Sequence, residues 1–290
     1  MKRLFAFFTT LVICFGLNAQ SAMPFVDIDR NPVTAAMGGA NSVSALYNPA
    51  AAAVQNGGDF VLSYQKWAPA SVSENHIGFL GEMKLGERLG FTLTGVSQKG
   101  QTYTAIDASG NAGKTFTPTE LLAGAGIGFR FTENLAAGAT VKYASQKIDD
   151  KTSYSAIAAD VLVYYNKERF SAAAGLTSLG TSVTSGDNSY PLPLSAKAGA
   201  GYKMDSFKVN ADIDYYLSGG FGAGCGAEYS FKDMLFVRAG AHLGSGSAPL
   251  PTYASLGAGL KLAGFHADLC WLTANSILGN TLHLGLGYSF

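Results

Sequence analysis

The stretch Asn280-Thr-Leu-His-Leu-Gly-Leu-Gly-Tyr-Ser-Phe290 alternates without a break. Leu282, Leu284, Leu286, Tyr288 and Phe290 share one parity; Thr281, His283, Gly285, Gly287 and Ser289 share the other. Side chains of a strand point alternately to opposite faces. The stretch therefore predicts a strand with one apolar face and one small, polar face. A strand of a soluble sandwich shows the same alternation. Repetition along the chain, and aromatic residues at the ends of the apolar faces, separate the two readings.

Upstream the pattern repeats. From Gly58 onward 14 alternating segments are centred on Phe60–Gln65, His76–Lys84, Leu89–Ser97, Leu121–Phe131, Leu135–Ser145, Ser155–Tyr165, Phe170–Leu176, Leu194–Tyr202, Phe207–Tyr215, Phe221–Phe231, Met234–Leu243, Tyr253–Leu262, Phe265–Trp271 and Leu282–Phe290. Their connections sort by parity. Gly86-Glu87, Thr132–Asn134, Asn166–Glu168, Met204–Ser206, Lys232-Asp233 and Ala263-Gly264 are short. The intervening ones are mostly longer, among them Gln98–Pro118 and Thr177–Pro193; Ser218–Gly220 is the tight exception. Short turns at one rim and long loops at the other are the two sides of a transmembrane barrel, and single-chain bacterial barrels have an even strand number. A sandwich has no reason to sort its loops this way.

Composition agrees. Of 290 residues 14% are charged, against roughly 25% in soluble domains, and 36 are glycine. Hydrophobic residues make up 48% but are dispersed, and past the N-terminus no run reaches the roughly 18 apolar residues of a membrane helix. Formal net charge is zero, which gives no support to nucleic-acid binding. Met1–Ala19 reads as a secretory signal: Lys2 and Arg3, then the apolar Leu4–Leu17, then a cleavage position at Ala19. The expectation is an all-β protein: a leader (1–19), an N-terminal segment (20–57), and a 14-stranded antiparallel transmembrane barrel (58–290) in the bacterial outer membrane, in contact with its lipid.

The segment before the strands does not alternate. Asn31 is placed to cap a short helix that Pro32 starts and Gly38-Gly39 end. Asn48 and Pro49 repeat the device ahead of four alanines. Helices this short need something to pack against, so the segment is expected to sit in the barrel as a plug, or hatch. Asp29–Ala40, with its Ala36-Met-Gly-Gly-Ala40, followed by Leu46-Tyr-Asn-Pro-Ala50, resembles the N-terminal hatch of FadL-like outer-membrane barrels. It is most similar to the PorV/PorQ branch of Bacteroidetes, and a final strand closing on an aromatic is a further resemblance to bacterial outer-membrane barrels. The first resemblance implies an accessory docking or shuttle component of type IX secretion, with secretion-system subunits as partners. The alternative, implied by FadL itself, is a passive channel for hydrophobic small molecules, with such a molecule as its ligand.

Parity assigns the lumen face. Gly124, Gly126, Gly128 and Arg130, Lys142, Asp212, Gly222, Gly224 and Glu228, Arg238, His266, Asp268 and His283 are expected to point inward. Glycines two apart on one face leave room for a close backbone approach or permit strand bending; the first use makes Gly124–Gly128 and Gly220–Gly226 a wall for the hatch. Such glycine runs lack the strand-to-helix setting of a nucleotide loop. The inward histidines, with Ser255 and Ser289 on the same face, sit in no recognisable nucleophile motif, so the chain reads as a non-enzyme. No close cluster suggests a metal, no cofactor is implied, and Asp107–Asn111 lacks the carboxylate spacing of calcium loops. Cys225 and Cys270 fall on opposite faces of separate strands and are expected to be free thiols. The mixed lumen charges predict no strong ion selectivity. His283→Arg, on the lumen face, is expected to be far milder than Leu284→Arg on the lipid face.

Overall fold

The computed structural model describes residues 21–68, 74–106, 109–149, 152–273 and 280–290. The expected leader lies outside them, as do Asp107 and Ala108 of the loop weighed for calcium. The described strands are β1 (Gly58–Ala68), β2 (Glu74–Leu85), β3 (Leu89–Lys99), β4 (Tyr103–Ile106), β5 (Ala112–Phe116), β6 (Thr119–Arg130), β7 (Leu135–Lys147), β8 (Ser153–Lys167), β9 (Phe170–Gly180), β10 (Val183–Ser185), β11 (Asn188–Tyr190), β12 (Ser195–Lys203), β13 (Phe207–Tyr216), β14 (Gly220–Phe231), β15 (Leu235–Ser245), β16 (Tyr253–Leu262), β17 (Phe265–Thr273) and β18 (Asn280–Ser289).

Fourteen of them form one closed antiparallel barrel, in the order β1-β18-β17-β16-β15-β14-β13-β12-β9-β8-β7-β6-β3-β2. The seam joins the first strand to the last, in register from Asp59 opposite Ser289 to Ala68 opposite Asn280. Gly58 and Phe290 lock its end with reciprocal backbone hydrogen bonds of 3.0 Å. Closure leaves no unpaired edge, which is what a sheet in a hydrocarbon solvent requires. At two short turns, Lys232-Asp233 and Ala263-Gly264, both residues have positive φ (55°, 52°, 49° and 85°). These are the mirror-image turns whose twist suits a tight hairpin.

Two departures from the sequence expectation occur at the long-loop rim. Gln98–Pro118 and Thr177–Pro193 are not plain loops: they carry the hairpins β4–β5 and β10–β11. Strands of three to five residues, exposed except at Val183 and Phe116, leave no alternation to read. In addition, β9 continues past Leu176 to Gly180 through a bulge, where the register with β8 shifts between Ala159 and Val161. Ser178 takes a left-handed φ of 57° there, and its backbone N–H donates to Asp160 Oδ1 at 2.8 Å.

The outward face is an apolar belt. Leu286, Val237, Val141 and Leu256 remain 56–65% exposed. An apolar surface encircling the molecule is incompatible with water and matches a bilayer. No helix among the described residues is long and apolar enough to cross a membrane. Aromatic rings gather toward the short-turn rim: Phe60 on Phe290 at 5.7 Å, Phe265 on Tyr288 at 4.7 Å and Phe207 on Tyr229 at 4.8 Å between centroids. Cys225 is exposed, Cys270 is buried, and both are free.

Candidate functional site

Residues 21–54 lie largely buried inside the barrel, and the two short helices seat there by their backbones. Asn31 Oδ1 accepts from Val33 N at 2.9 Å, so Pro32–Ala36 starts on a side-chain cap with proline at its first position. Asn48 does the same for Pro49–Ala52, accepting from Ala50 N at 3.0 Å, and its Nδ2 ties back to Ser42 O at 2.9 Å. Asp29 ties the start of the first helix to Tyr47, just ahead of the second. Its Oδ1 accepts from Asn31 N (2.9 Å), Thr34 Oγ1 (2.9 Å) and the Tyr47 hydroxyl (2.5 Å). Burial raises the Asp29 carboxyl above its usual range, more than those donors lower it. Burial also lowers the neighbouring Arg30 guanidinium to about 10, despite the nearby Tyr47, Glu120 and Asp29.

Glycine decides how close the hatch comes to the wall. Gly38 leaves the first helix at φ 71°, and a Cβ there would strike the backbone oxygens of Ala241 and Cys225. From the wall side, a Cβ on Gly224 would hit Gly38, and one on Gly226 or Gly240 the Met37–Gly38 backbone. The second helix does the same elsewhere: a Cβ on Gly128 would meet Pro49 and Ala50, one on Gly90 Ala52 and Ala53, and one on Gly138 Ala50. Ala50–Ala53 are fully buried in consequence. The expected glycine wall needs correcting at its ends. Gly124 lies against Lys142 and Val141, and Gly222 against Asp214 and His242; neither touches the hatch. Gly220 abuts the loop at Ser247 and Ala248. The sequence reading missed Gly90, Gly138 and Gly240, which belong to the same parity but sit in less regular glycine runs.

Charged lumen residues divide into two groups. Asp212 is a tether: Oδ2 accepts from Asn41 N (2.9 Å) and Ser42 N (2.7 Å), and Oδ1 from Ser42 Oγ (2.7 Å). Lys197 donates to Asn41 Oδ1 at 3.0 Å and pairs with Asp214 at 3.3 Å; Lys142 pairs with Asp160 at 2.8 Å. The other group runs along the wall toward the short-turn rim. Arg238 bridges Glu228 and Asp268, both at 2.6 Å, and His266 bridges Asp268 (2.7 Å) and Asp59 (3.0 Å). Arg130 is half-buried at that rim. His283 is 1% exposed. It shares a small cavity with Ile28, Asp29 and Ala35 of the N-terminal segment. Ser255 Oγ donates to Ala36 O (3.0 Å) and Ser289 Oγ to Asp59 (3.2 Å). Among the described residues no group of three or more His, Cys, Asp or Glu is placed to hold a metal.

Toward the long-loop rim the lumen turns apolar. Val96, Leu122, Ala144, Ala156 and Ala158 point inward and are buried against Met23, Phe25 and Val26 of the chain's own N-terminal segment. Leu192 and Val183 of the outer loops join them, and Ala22 N donates to Pro191 O at 2.8 Å. A cavity of about 70 Å³ adjoins this cluster, lined by Val26, Val96 and Leu122 on one side and by polar groups such as Arg30, Asn41, Thr140, Lys142 and Lys197 on the other. Parity alone marks Val96 and Leu122 as apolar residues on the lumen face, a signal the sequence reading left unused.

No protein-family model and no curated protein matches the sequence. Solved structures do match. The Ralstonia pickettii toluene transporter TbuX superposes with a TM-score of 0.63 at 14% identity, covering 91% of this chain and 98% of that one. The P. putida toluene transporter TodX gives 0.59 at 14% identity, covering 91% and 99%. A Pseudomonas aeruginosa FadL homologue gives 0.60 at 11% identity, covering 91% and 99%. What this chain shares with these structures is the fold, a closed barrel of 14 antiparallel strands with few helices.

Proposed function

We propose that the protein is a passive outer-membrane channel for small hydrophobic molecules, kept shut at rest by residues 21–57. The observation that carries this reading is the apolar stretch of lumen beneath the long loops. A barrel serving water-soluble solutes lines its interior with polar groups. Here Val96 and Leu122 face inward and are covered by Met23, Phe25 and Val26. An apolar solute arriving from the long-loop side replaces those side chains at little cost in exposed surface. The likeness in fold to the toluene transporters TbuX and TodX and to a FadL homologue supports the same reading. Above the cluster Tyr103 stacks on Phe116 at 5.8 Å, and Ile106 is 72% exposed, giving the longest loop an apolar patch.

The secretion-accessory reading rests on the hatch motifs. Those residues already serve the fold from within. Met37–Ala40 turns against glycine strands, and Asn48-Pro49 caps and starts a helix. They need no partner protein to explain them, and the structural neighbours are transporters. The test is whole-cell uptake of labelled toluene by a Gram-negative host without a hydrocarbon channel of its own. Cells expressing the protein are expected to equilibrate faster than vector controls. Equal rates, with secretion subunits recovered by pull-down from native membrane, would reverse the choice.

A further inference from the structure

The hatch joins the barrel through one exposed stretch, Gln55-Asn-Gly57, at the short-turn rim. Upstream of it Val54 N and Gln55 N donate to Ala51 O at 3.0 Å, which closes the second short helix. Downstream, Gly57 O accepts from Lys84 N at 3.0 Å, and Gly58 begins β1. Asn56 stands between these two fixed ends. Asn56-Gly57 is also the only Asn-Gly pair in the 290 residues. Gly57 has a φ of 88°, and its N–H makes no hydrogen bond among the described residues.

An asparagine amide carbon is open to attack by the backbone nitrogen of the next residue, and glycine, without a Cβ, leaves that nitrogen least obstructed. The Asn56 side chain is exposed, and its Oδ1 accepts from Lys84 Nζ at 3.0 Å. That ammonium stands where negative charge develops when Cγ is attacked, which is how a donor lowers the barrier of acyl transfer. We propose that Asn56 is a site of spontaneous deamidation, with Gly57 N as the nucleophile and Lys84 as the activating donor. Gly57 N gives up its proton to solvent and bonds to Asn56 Cγ. The Cγ–Nδ2 bond breaks, and ammonia leaves with a proton taken from solvent. The succinimide ring so formed takes up water and opens at either carbonyl, to aspartate or to isoaspartate. Both products place a carboxylate beside Lys84. Isoaspartate also routes the main chain through the former side chain. It lengthens by one carbon the only chain connection between hatch and barrel, so the anchorage of the hatch at this end loosens as the protein ages.

The test ages the full-length protein in detergent at neutral and mildly alkaline pH. Peptide mass spectrometry reads the conversion of amide to carboxyl at each asparagine, and isoaspartyl methyltransferase labelling reads the isoaspartate. Asn188, also exposed and followed by serine, is the internal comparison. Asn56 is expected to convert roughly tenfold faster than Asn188, and faster at the higher pH, where the Gly57 nitrogen gives up its proton more readily. Lys84→Met is expected to slow the conversion roughly threefold or more, and Lys84→Arg, which keeps a donor, to retain most of the rate. Conversion of Asn56 no faster than that of Asn188, or an unchanged rate in Lys84→Met, would overturn the proposal. If Lys84→Met does not give a folded barrel, as judged by heat-shifted gel mobility, the comparison of Asn56 with Asn188 decides. Planar-bilayer recording tests the consequence: ageing is expected to raise the resting conductance of the wild type and not that of Asn56→Gln. An equal change in both would overturn the loosening of the hatch.

Discussion

Gly226 and Gly95 make the seating of the hatch testable at the scale of one side chain. A Cβ on Gly226 collides with the Met37 backbone, whereas one on Gly95 meets nothing within 4 Å. Gly226→Val is expected to displace the hatch and raise resting conductance in a planar bilayer; Gly95→Val is expected to leave it unchanged. Similar behaviour of the two would mean that the glycines do not set the seating. Asp29 adds a dependence on pH. Burial holds its folded pKa above the unfolded value, so its contribution to seating is complete below the usual carboxylate range near about 4 and declines as pH rises toward the folded value. Leak conductance is therefore expected to increase from acid toward neutral pH. Asp29→Asn, which cannot ionise, is expected to flatten that part of the profile. A mutant profile superimposable on the wild type would assign the dependence to other groups.

At the scale of elements, period-two alternation made the wall strands legible, because each has lipid on one side and a packed lumen on the other. Leu284 and His283 show both the reach and the limit of that reading. Leu284 is exposed to lipid, and Leu284→Arg is expected to cost about 2–4 kcal/mol near the midplane in a bilayer folding titration. His283 was legible as inward, but parity carries no information on what fills the inside. Because hatch residues pack there, His283→Arg is expected to be destabilising as well, by crowding a second cation near Arg30 in a buried site. The β4–β5 and β10–β11 hairpins were not legible: strands of three to five residues are too short to show a period, and all but Val183 and Phe116 are exposed. The helix caps were legible because Asn-Pro is a local signal. Asn48→Ala is expected to cost about 0.5–2 kcal/mol from the lost cap, read as earlier unfolding of the hatch than of the barrel. Unchanged hatch stability would show that the wall, not the cap, holds the helix.

For the whole molecule, two layers of interaction are separable. The barrel closes through its own backbone ladder, from β1 against β18 around to β2 against β1, and none of those bonds involves the hatch. The hatch is held by backbone contact with glycines, by the Asp212 tether and by the apolar cluster around Phe25 and Val26. Its two helices contact strands on opposite sides of the lumen, β15 to β18 for one and β2, β3 and β6 to β8 for the other, so it spans the bore. Deleting residues 20–57 is therefore expected to leave a barrel that still folds and inserts. Planar-bilayer recording of that truncated barrel beside the full-length protein is the most direct test of a lumen closed by its own N-terminal segment. Such a plug predicts a steady, salt-dependent conductance for the truncated barrel and near silence for the full chain. Equal conductance of the two would contradict it and place the closure elsewhere.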